Sequence, residues 1–435
     1  MDFEEPTRLS RRSVLKSIPA TLMLGRSLAP QAAARPKIAA VVTEYRKWSH
    51  AEHIVDRFLE GYGWESQHHR PPMDLVSLYV DQVGKSDLSR ERAQRFPSMK
   101  IYPSIAQALT LGGSQLAVDG VLLIAEHGSY PKNEKGQTLY PRYEFFQQIV
   151  DVFRKSGRSV PVFNDKHLSW KWEWAKEMAD TAKALGFAFM AGSSLPVAFR
   201  APSIEMPVGA EIEEAMCIAV GGVDSYDFHA LETLQCMVER RKGGETGVVA
   251  LQALRGEKVW EALRAGSWEK GGWDMRLFEA CLCRSHTLTP ARVGFNHVYP
   301  TLDQIPPLVK DPVAYRYEHA DGLRATMLLL EGLVNPFHFA ARLKGRPEPL
   351  STMFFLPGRG VDNGGTEAPF FNPLVNNIEK MFLTGKATYP VERTLLTTGL
   401  VGAGVESLYQ GQKRLQTPHL SIRYQPTKDS HFWRS

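Results

Sequence analysis

After residue 35 the chain alternates short, unbroken apolar runs with longer stretches whose apolar positions recur every three or four residues. The runs at 37–43, 74–81, 119–125 and 160–163 have the valine, isoleucine and leucine content of buried strands. Residues 100–102 and 187–191 are shorter segments of the same kind. Between them, Ile54, Phe58 and Tyr62 stand at helical spacing behind Ser49, a residue type that caps helices. Helices are also predicted over 87–96, 104–111, 140–155 and 169–185, the last with Ser169 as its cap and Gly186 as its stop. Strands joined by helices imply a parallel sheet with right-handed crossovers, and ligands of such sheets bind beyond the carboxyl ends of the strands.

From residue 211 the pattern changes. Segments 211–220, 246–254, 315–319, 323–331, 337–343 and 351–356 are strand-length, with turn residues between the later ones. Helices are predicted at 226–241, 372–383 and 391–411, and 357–369 is a glycine-rich loop. The fold class is therefore α/β. A Rossmann-type parallel sheet is expected over 35–195, and an α+β domain with an open, mainly antiparallel sheet over 196–435. No internal repeat is present.

Composition adds limits to this picture. Of the 435 residues 43% are apolar and 23% charged, which is globular rather than disordered. The net charge of +5 is scattered outside the N-terminus, so no nucleic-acid footprint is present. The run Arg240-Arg241-Lys242 is expected to end a helix, where cations suit the dipole. Cys217, Cys236, Cys281 and Cys283 are read as buried free thiols, and no stretch is long enough to span a bilayer.

Residues 1–34 are read as an export signal. Arg11-Arg12 precedes a short apolar stretch and then Ala32-Ala33-Ala34, an order that resembles a twin-arginine signal with Val14 in place of the usual Phe. This implies the twin-arginine machinery as a partner, folding before export, and a periplasmic or secreted protein.

Three further segments carry a resemblance. Asp119 to Ala125, then Ser159-Val-Pro-Val-Phe-Asn-Asp-Lys-His, the long helix and Phe187-Ala-Phe-Met-Ala-Gly192 are similar to the Gfo/Idh/MocA oxidoreductases, which include glucose–fructose oxidoreductase and inositol dehydrogenase. Gly221-Gly-Val-Asp-Ser-Tyr-Asp-Phe-His229 and Thr384-Gly-Lys-Ala-Thr-Tyr-Pro-Val-Glu-Arg continue it in order to about residue 415. The resemblance implies an NAD(P)-dependent oxidoreductase of a sugar or cyclitol and a possible homo-oligomer. Lys166, Asp165 and His229 match the family's Lys, Glu and His, with His167 in place of a proline. Asp81, after the second strand, matches the acid that bonds a ribose.

One departure bears on the cofactor. The turn after the first strand, Thr43-Glu-Tyr-Arg-Lys-Trp-Ser-His50, has no glycine, and glycine is what lets a backbone approach a pyrophosphate. Arg46 and Lys47 are the cations available there, and Glu126 is a further cofactor-side candidate. Any NAD(P) is then expected to be held tightly from before export.

The polar residues at strand ends are Glu126, His127, Asn164, Asp165, Lys166 and His167, with His229 opposite. His229 suits a general base near neutral pH, and Lys166 suits polarising the same oxygen. His127, His167, Tyr140 and Arg142 are candidate substrate contacts, and Tyr130, Tyr143, Trp170, Trp172 and Trp174 are further candidates for lining a sugar pocket. The same site admits a divalent metal, with His229, Glu232 and His167 as ligands and His229 and Glu232 three apart on one helical face. Two alternatives to the oxidoreductase follow: a redox-silent or metal-dependent carbohydrate lyase, isomerase or hydrolase, and a non-catalytic exported binding protein.

Overall fold

A computed structural model describes residues 34–285, 299–356 and 368–434. The expected export signal and most of the glycine-rich loop lie outside these residues. Residues Arg35–Ser435 form one compact unit.

The first half runs β1 (Lys37–Val42), α1 (His50–Glu60), β2 (Tyr62–Trp64), β3 (Gln67–His69), β4 (Asp74–Val80), α2 (Ser89–Arg95), β5 (Lys100–Ile101) and α3 (Ile105–Thr110). It continues with β6 (Gly120–Ile124), α4 (Arg142–Ser156), β7 (Val162–Asp165), α5 (Trp172–Leu185) and β8 (Phe189–Gly192). Six strands form one sheet in the order β5-β4-β1-β6-β7-β8, every neighbour parallel. The order reverses between β4 and β6 around β1, so the switch point lies at the carboxyl edge of β1. β2 and β3 are a separate hairpin that the apolar pattern does not announce.

The second half holds β9 (Phe199–Ala201), β10 (Ile212–Ala219), α6 (Tyr226–Val238), β11 (Val248–Arg255), α7 (Glu257–Ala265), α8 (Met275–Leu282), β12 (Val313–His319) and β13 (Arg324–Leu329). Then come β14 (Phe337–Leu343), β15 (Leu350–Phe355), α9 (Asn372–Thr384), α10 (Val391–Tyr409) and β16 (Leu415–Gln416). Eight strands order as β16-β11-β12-β13-β10-β14-β15-β9, antiparallel except for the parallel pair β10/β13. The expectation of an open, mainly antiparallel sheet is met.

Three buried clusters fill the layers. One joins a face of the first sheet to α3, α4 and α5 and runs on beneath α6 and α10 against the second sheet. A second packs Ile38, Ala40 and Leu78 against α1 and against Leu374 and Ile378 of α9. A C-terminal helix therefore completes the core of the N-terminal sheet. The third lies on the far face of the second sheet under α7 and α8.

Local expectations fail at three places. Ser169 does not cap α5; its hydroxyl accepts from Lys171 N, and Lys171 precedes the first helical residue. Arg240 and Arg241 follow the end of a helix as expected, but not as its last turn. α6 stops at Val238, and both guanidiniums are buried, Arg240 on carbonyls of Met206, Thr427 and Lys428 and Arg241 on Glu245 and Asp321. Cys217, Cys236 and Cys281 are buried free thiols, but Cys283 is exposed.

Close packing of α10 on the second sheet requires a glycine. A Cβ at Gly404 would lie 2.3 Å from the ring of Tyr315, which is fully buried and donates to Asp227 at 3.0 Å. Gly404→Ala is expected to cost about 1–3 kcal/mol through overpacking, read as a lower urea midpoint.

Candidate functional site

The carboxyl edge of the first sheet gathers its polar groups because β6 and β7 end there. β6 runs directly into Glu126 and His127, and β7 ends on Asp165, followed by Lys166 and His167. Asn164 secures that turn: its side-chain amide donates to the carbonyls of Asp165, Lys166 and His167 at 3.2, 3.4 and 3.3 Å. Lys166 sits in the left-handed region (φ 67°), and its N–H donates to Gly192 O at 3.0 Å. From the other half of the chain, the first turn of α6 brings His229.

Lys166 is the hub. Its Nζ donates to Ser225 O at 2.9 Å and to His229 Nε2 at 3.0 Å, and pairs with Glu126 Oε1 at 3.2 Å. Three acceptors match the three protons of an ammonium, and His229 accepts on Nε2 as the neutral ring. The second oxygen of Glu126 takes Arg142, which is fully buried, 3.2 Å from His167 Nε2, with its guanidinium carbon 4.9 Å from the centroid of the Tyr140 ring. Beside this group, Asp165 Oδ2 meets Nδ1 of His50 at 2.6 Å. The His50 ring makes edge contacts with His127 and Phe371 at 5.1 and 5.2 Å.

The electrostatics follow from burial beside two cations. Burial opposes the charge of Glu126, yet Lys166 and Arg142 hold its carboxyl well below the usual range. Burial, and then repulsion from His50, lowers His127 to about 3. Burial and Arg142 push His167 well down. The site thus presents cations, one firmly ionised carboxylate and neutral imidazoles.

The structure brings together Lys166, His229, Glu126, Arg142, His167 and Tyr140, with Asp165 and His127 alongside. His50 is a member of this cluster that sequence reasoning passed over. Its signal was Ser49-His-Ala-Glu52, a capping box that sets His50 at the first helical position, on the sheet's carboxyl edge.

Glu232 is not part of the site. It points into the core, where Oε2 accepts from the N–H and hydroxyl of Ser193 at 2.7 and 2.9 Å and Oε1 accepts from Thr394 at 2.9 Å. His229 and Glu232 share a helix but serve different surroundings. Among the described residues no group of three or more His, Cys, Asp or Glu is placed to hold a metal ion, which removes the ligand set His229, Glu232 and His167.

Glu232 instead gives a stability signature. Burial raises its carboxyl to about 7, above the unfolded value of about 4.3. A raised folded pKa means stability that is full below the unfolded pKa and lost as pH rises through 7. Glu232→Gln, which keeps acceptor and donor for Ser193 and Thr394, is expected to remove a loss on the order of 3 kcal/mol between pH 5 and pH 8. Urea midpoints of both proteins across that range check it.

The aromatic candidates divide. Tyr143 and Trp174 stack on each other at 4.6 Å, joining α4 to α5. Trp170 and Trp172 line a cavity of about 490 Å³ with Asn133, Gln137 and His419, outside the Lys166 cluster.

Neither a family model nor a curated protein sequence matches the chain. Solved structures do. GenD2 from gentamicin A biosynthesis, in complex with NAD, superposes with a TM-score of 0.53 over 89% of this chain and 99% of its own, at 12% identity. The scyllo-inositol dehydrogenase of Lactobacillus casei with NAD(H) and scyllo-inositol gives 0.52 over 88% and 99%, at 11% identity. A probable dehydrogenase from Thermotoga maritima gives 0.51 over 88% and 99%, at 11%. The chain has the fold of the Gfo/Idh/MocA dehydrogenases.

In that fold a dinucleotide would cross the turn after β1 and meet free amides at the start of α1. Here those positions are filled from within. Ser49 Oγ accepts from Glu52 N at 3.2 Å, the Glu52 carboxylate accepts from Trp48 N, and His50 N donates to His127 Nδ1 at 3.4 Å. Glu44 and Glu52 put two carboxylates at the turn, and they engage Arg46 and Lys47, the cations expected to meet phosphate. Asp81 remains at the end of β4, bonded by Tyr79 and Tyr130 at 3.0 and 2.7 Å. These residues do not fit a pyrophosphate: the amides of Trp48, His50 and Glu52 are taken, the two cations of the turn are paired with its carboxylates, and no glycine is present for close backbone approach.

Proposed function

We propose that the protein is an enzyme acting on a hydroxyl-bearing carbon of a sugar or cyclitol by acid–base chemistry at the Lys166–His229–Glu126 cleft. One observation carries this reading: a buried ammonium shares its protons between a neutral imidazole and a carboxylate at the ligand-binding edge of the sheet. A substrate hydroxyl between Lys166 and His229 would accept from Nζ and give its own proton to Nε2. Glu126 offsets the second positive charge that step creates. Tyr140, Arg142, His127 and His167 remain the side chains around which substrate specificity is expected.

The closed turn favours a redox-silent lyase, isomerase or hydrolase over hydride transfer. A second reading, the NAD(P)-dependent oxidoreductase with tightly held cofactor, is favoured by Asp81 and by the nucleotide named in the complexes of GenD2 and the inositol dehydrogenase. Export by the twin-arginine route remains part of the proposal, and folding before export suits either reading. The test is conversion of a panel of sugars and cyclitols, followed by NMR, by the full chain with and without NAD(P)+. Conversion without nucleotide, abolished in His229→Asn, is expected; conversion only with nucleotide selects the second reading.

A further inference from the structure

The Asp165–His50 pair has no part in the chemistry so far. Asp165 is fully buried, and His50 is the side chain bonded to it; its Oδ1 has no hydrogen-bond partner among the described residues. A buried carboxylate with one partner is costly unless that partner carries or can take positive charge. His50 is such a partner. With Nδ1–H directed to Asp165, the lone pair of Nε2 is free to take a proton, and no described residue bonds it. This is the arrangement by which a carboxylate orients an imidazole and stabilises its protonated form. The ring is fixed from two sides, by His127 and by Phe371, and half-buried rather than sealed.

The position of His50 in the fold points the same way. His50 is the first residue of α1, at the switch point, where a dinucleotide pyrophosphate would meet the helix in this fold. The same cap, in which Ser49 takes the Glu52 amide and the Glu52 carboxylate takes the Trp48 amide, delivers an imidazole to that place. Asp165 and Lys166 are consecutive, so the two proton-handling groups, His50 and His229, are each tied to one of two neighbouring residues.

We propose that His50, oriented by Asp165, is a second proton-transfer group of this cleft, acting on the same bound sugar or cyclitol as His229. The inference rests on the reading of the cleft as a polyol site. Two such groups suit a reaction that removes a proton at one atom of the substrate and returns one at another, as lyases and isomerases do, with no electrons exchanged. Asp165 is then a positioning residue.

The experiment is acylation of histidines by diethyl pyrocarbonate on the full chain, located by mass spectrometry, with scyllo-inositol, with NAD+ and with neither. His50 and His229 are expected to react in the free protein and to be slowed several-fold together by scyllo-inositol, and by NAD+ not at all. Protection of His229 alone overturns the role of His50 while leaving the cleft reading intact. Protection of neither overturns both. Protection of His50 by NAD+ gives its place to a dinucleotide and overturns the proposal, as does a His50 that never reacts.

Asp165→Asn supplies the second arm, read on the substrate found in the NMR screen. The titratable groups facing His50 are Asp165 from β7, Glu126 and His127 beyond β6, and His53 on its own helix. Losing the Asp165 charge makes protonated His50 less stable, so the acid limb of the kcat profile is expected to move to lower pH while KM holds. An unmoved acid limb would make the pair merely structural.

Discussion

Replacing Lys166 with methionine is expected to lower turnover by roughly 10²- to 10⁴-fold, the range seen when a positioned proton-transfer or charge-stabilising group is removed. The substitution is chosen for what it leaves alone. Methionine has a similar unbranched stem and meets the same backbone penalty as lysine at φ 67°. Glu126 keeps Arg142, so its carboxylate is not stranded. The His229 ring loses the donor at its Nε2, and a substrate oxygen loses the ammonium that would polarise it. Kinetics on the substrate found in the NMR screen, beside a thermal melt, separate the two effects: turnover collapses while Tm moves little. Retained turnover would remove Lys166 from the chemistry.

The second large effect is on stability. Arg393 of α10 and Glu239, just past α6, form a fully buried pair, with Nε at 2.8 Å and Nη2 at 2.5 Å from the two carboxylate oxygens. Tyr424 donates to the same carboxylate at 2.9 Å. Arg393→Met leaves Glu239 charged, buried and held by one hydroxyl. Stranding one member of a buried pair costs about 3–5 kcal/mol, whereas a double change to matched apolar residues costs far less. Urea unfolding of Arg393→Met, and of Arg393→Met with Glu239→Leu, is expected to show a large loss in the first and partial recovery in the second.

The first sheet was legible because β1 and β6 are continuous apolar runs, buried on both faces, and α1, α4 and α5 show amphipathic stripes. The second sheet was legible as strands but not as topology: nothing in the segments 211–220 and 323–331 distinguishes the parallel β10/β13 pairing from an antiparallel one. Helices α7 and α8 are short, and the β2–β3 hairpin has only three residues a strand, too few for a period to show. The arginines at 240 and 241 look like surface charge in sequence. Their burial depends on the Asp321 carboxylate and on carbonyls far along the chain, which local pattern does not report.

The site was legible in part for the same reason. Lys166, Asp165 and Glu126 sit at strand ends, where a parallel sheet puts its ligands. His229 needed the resemblance, since its partner Lys166 comes from the other half of the chain. Glu232 misled because helical spacing places it near His229 but does not say which way the core lies. His50 was hidden behind the cap it follows. The missing glycines were plain in the sequence, but what takes their place, Ser49, Glu52 and His127 satisfying the amides themselves, required the structure.

The most direct test of this account is calorimetric titration of the full chain with NAD+ and NADP+, after analysis of the denatured protein for retained nucleotide. No retained nucleotide and no binding up to millimolar concentration are predicted. Retained NAD(P), or a sub-millimolar Kd, would contradict the account and return the protein to hydride transfer.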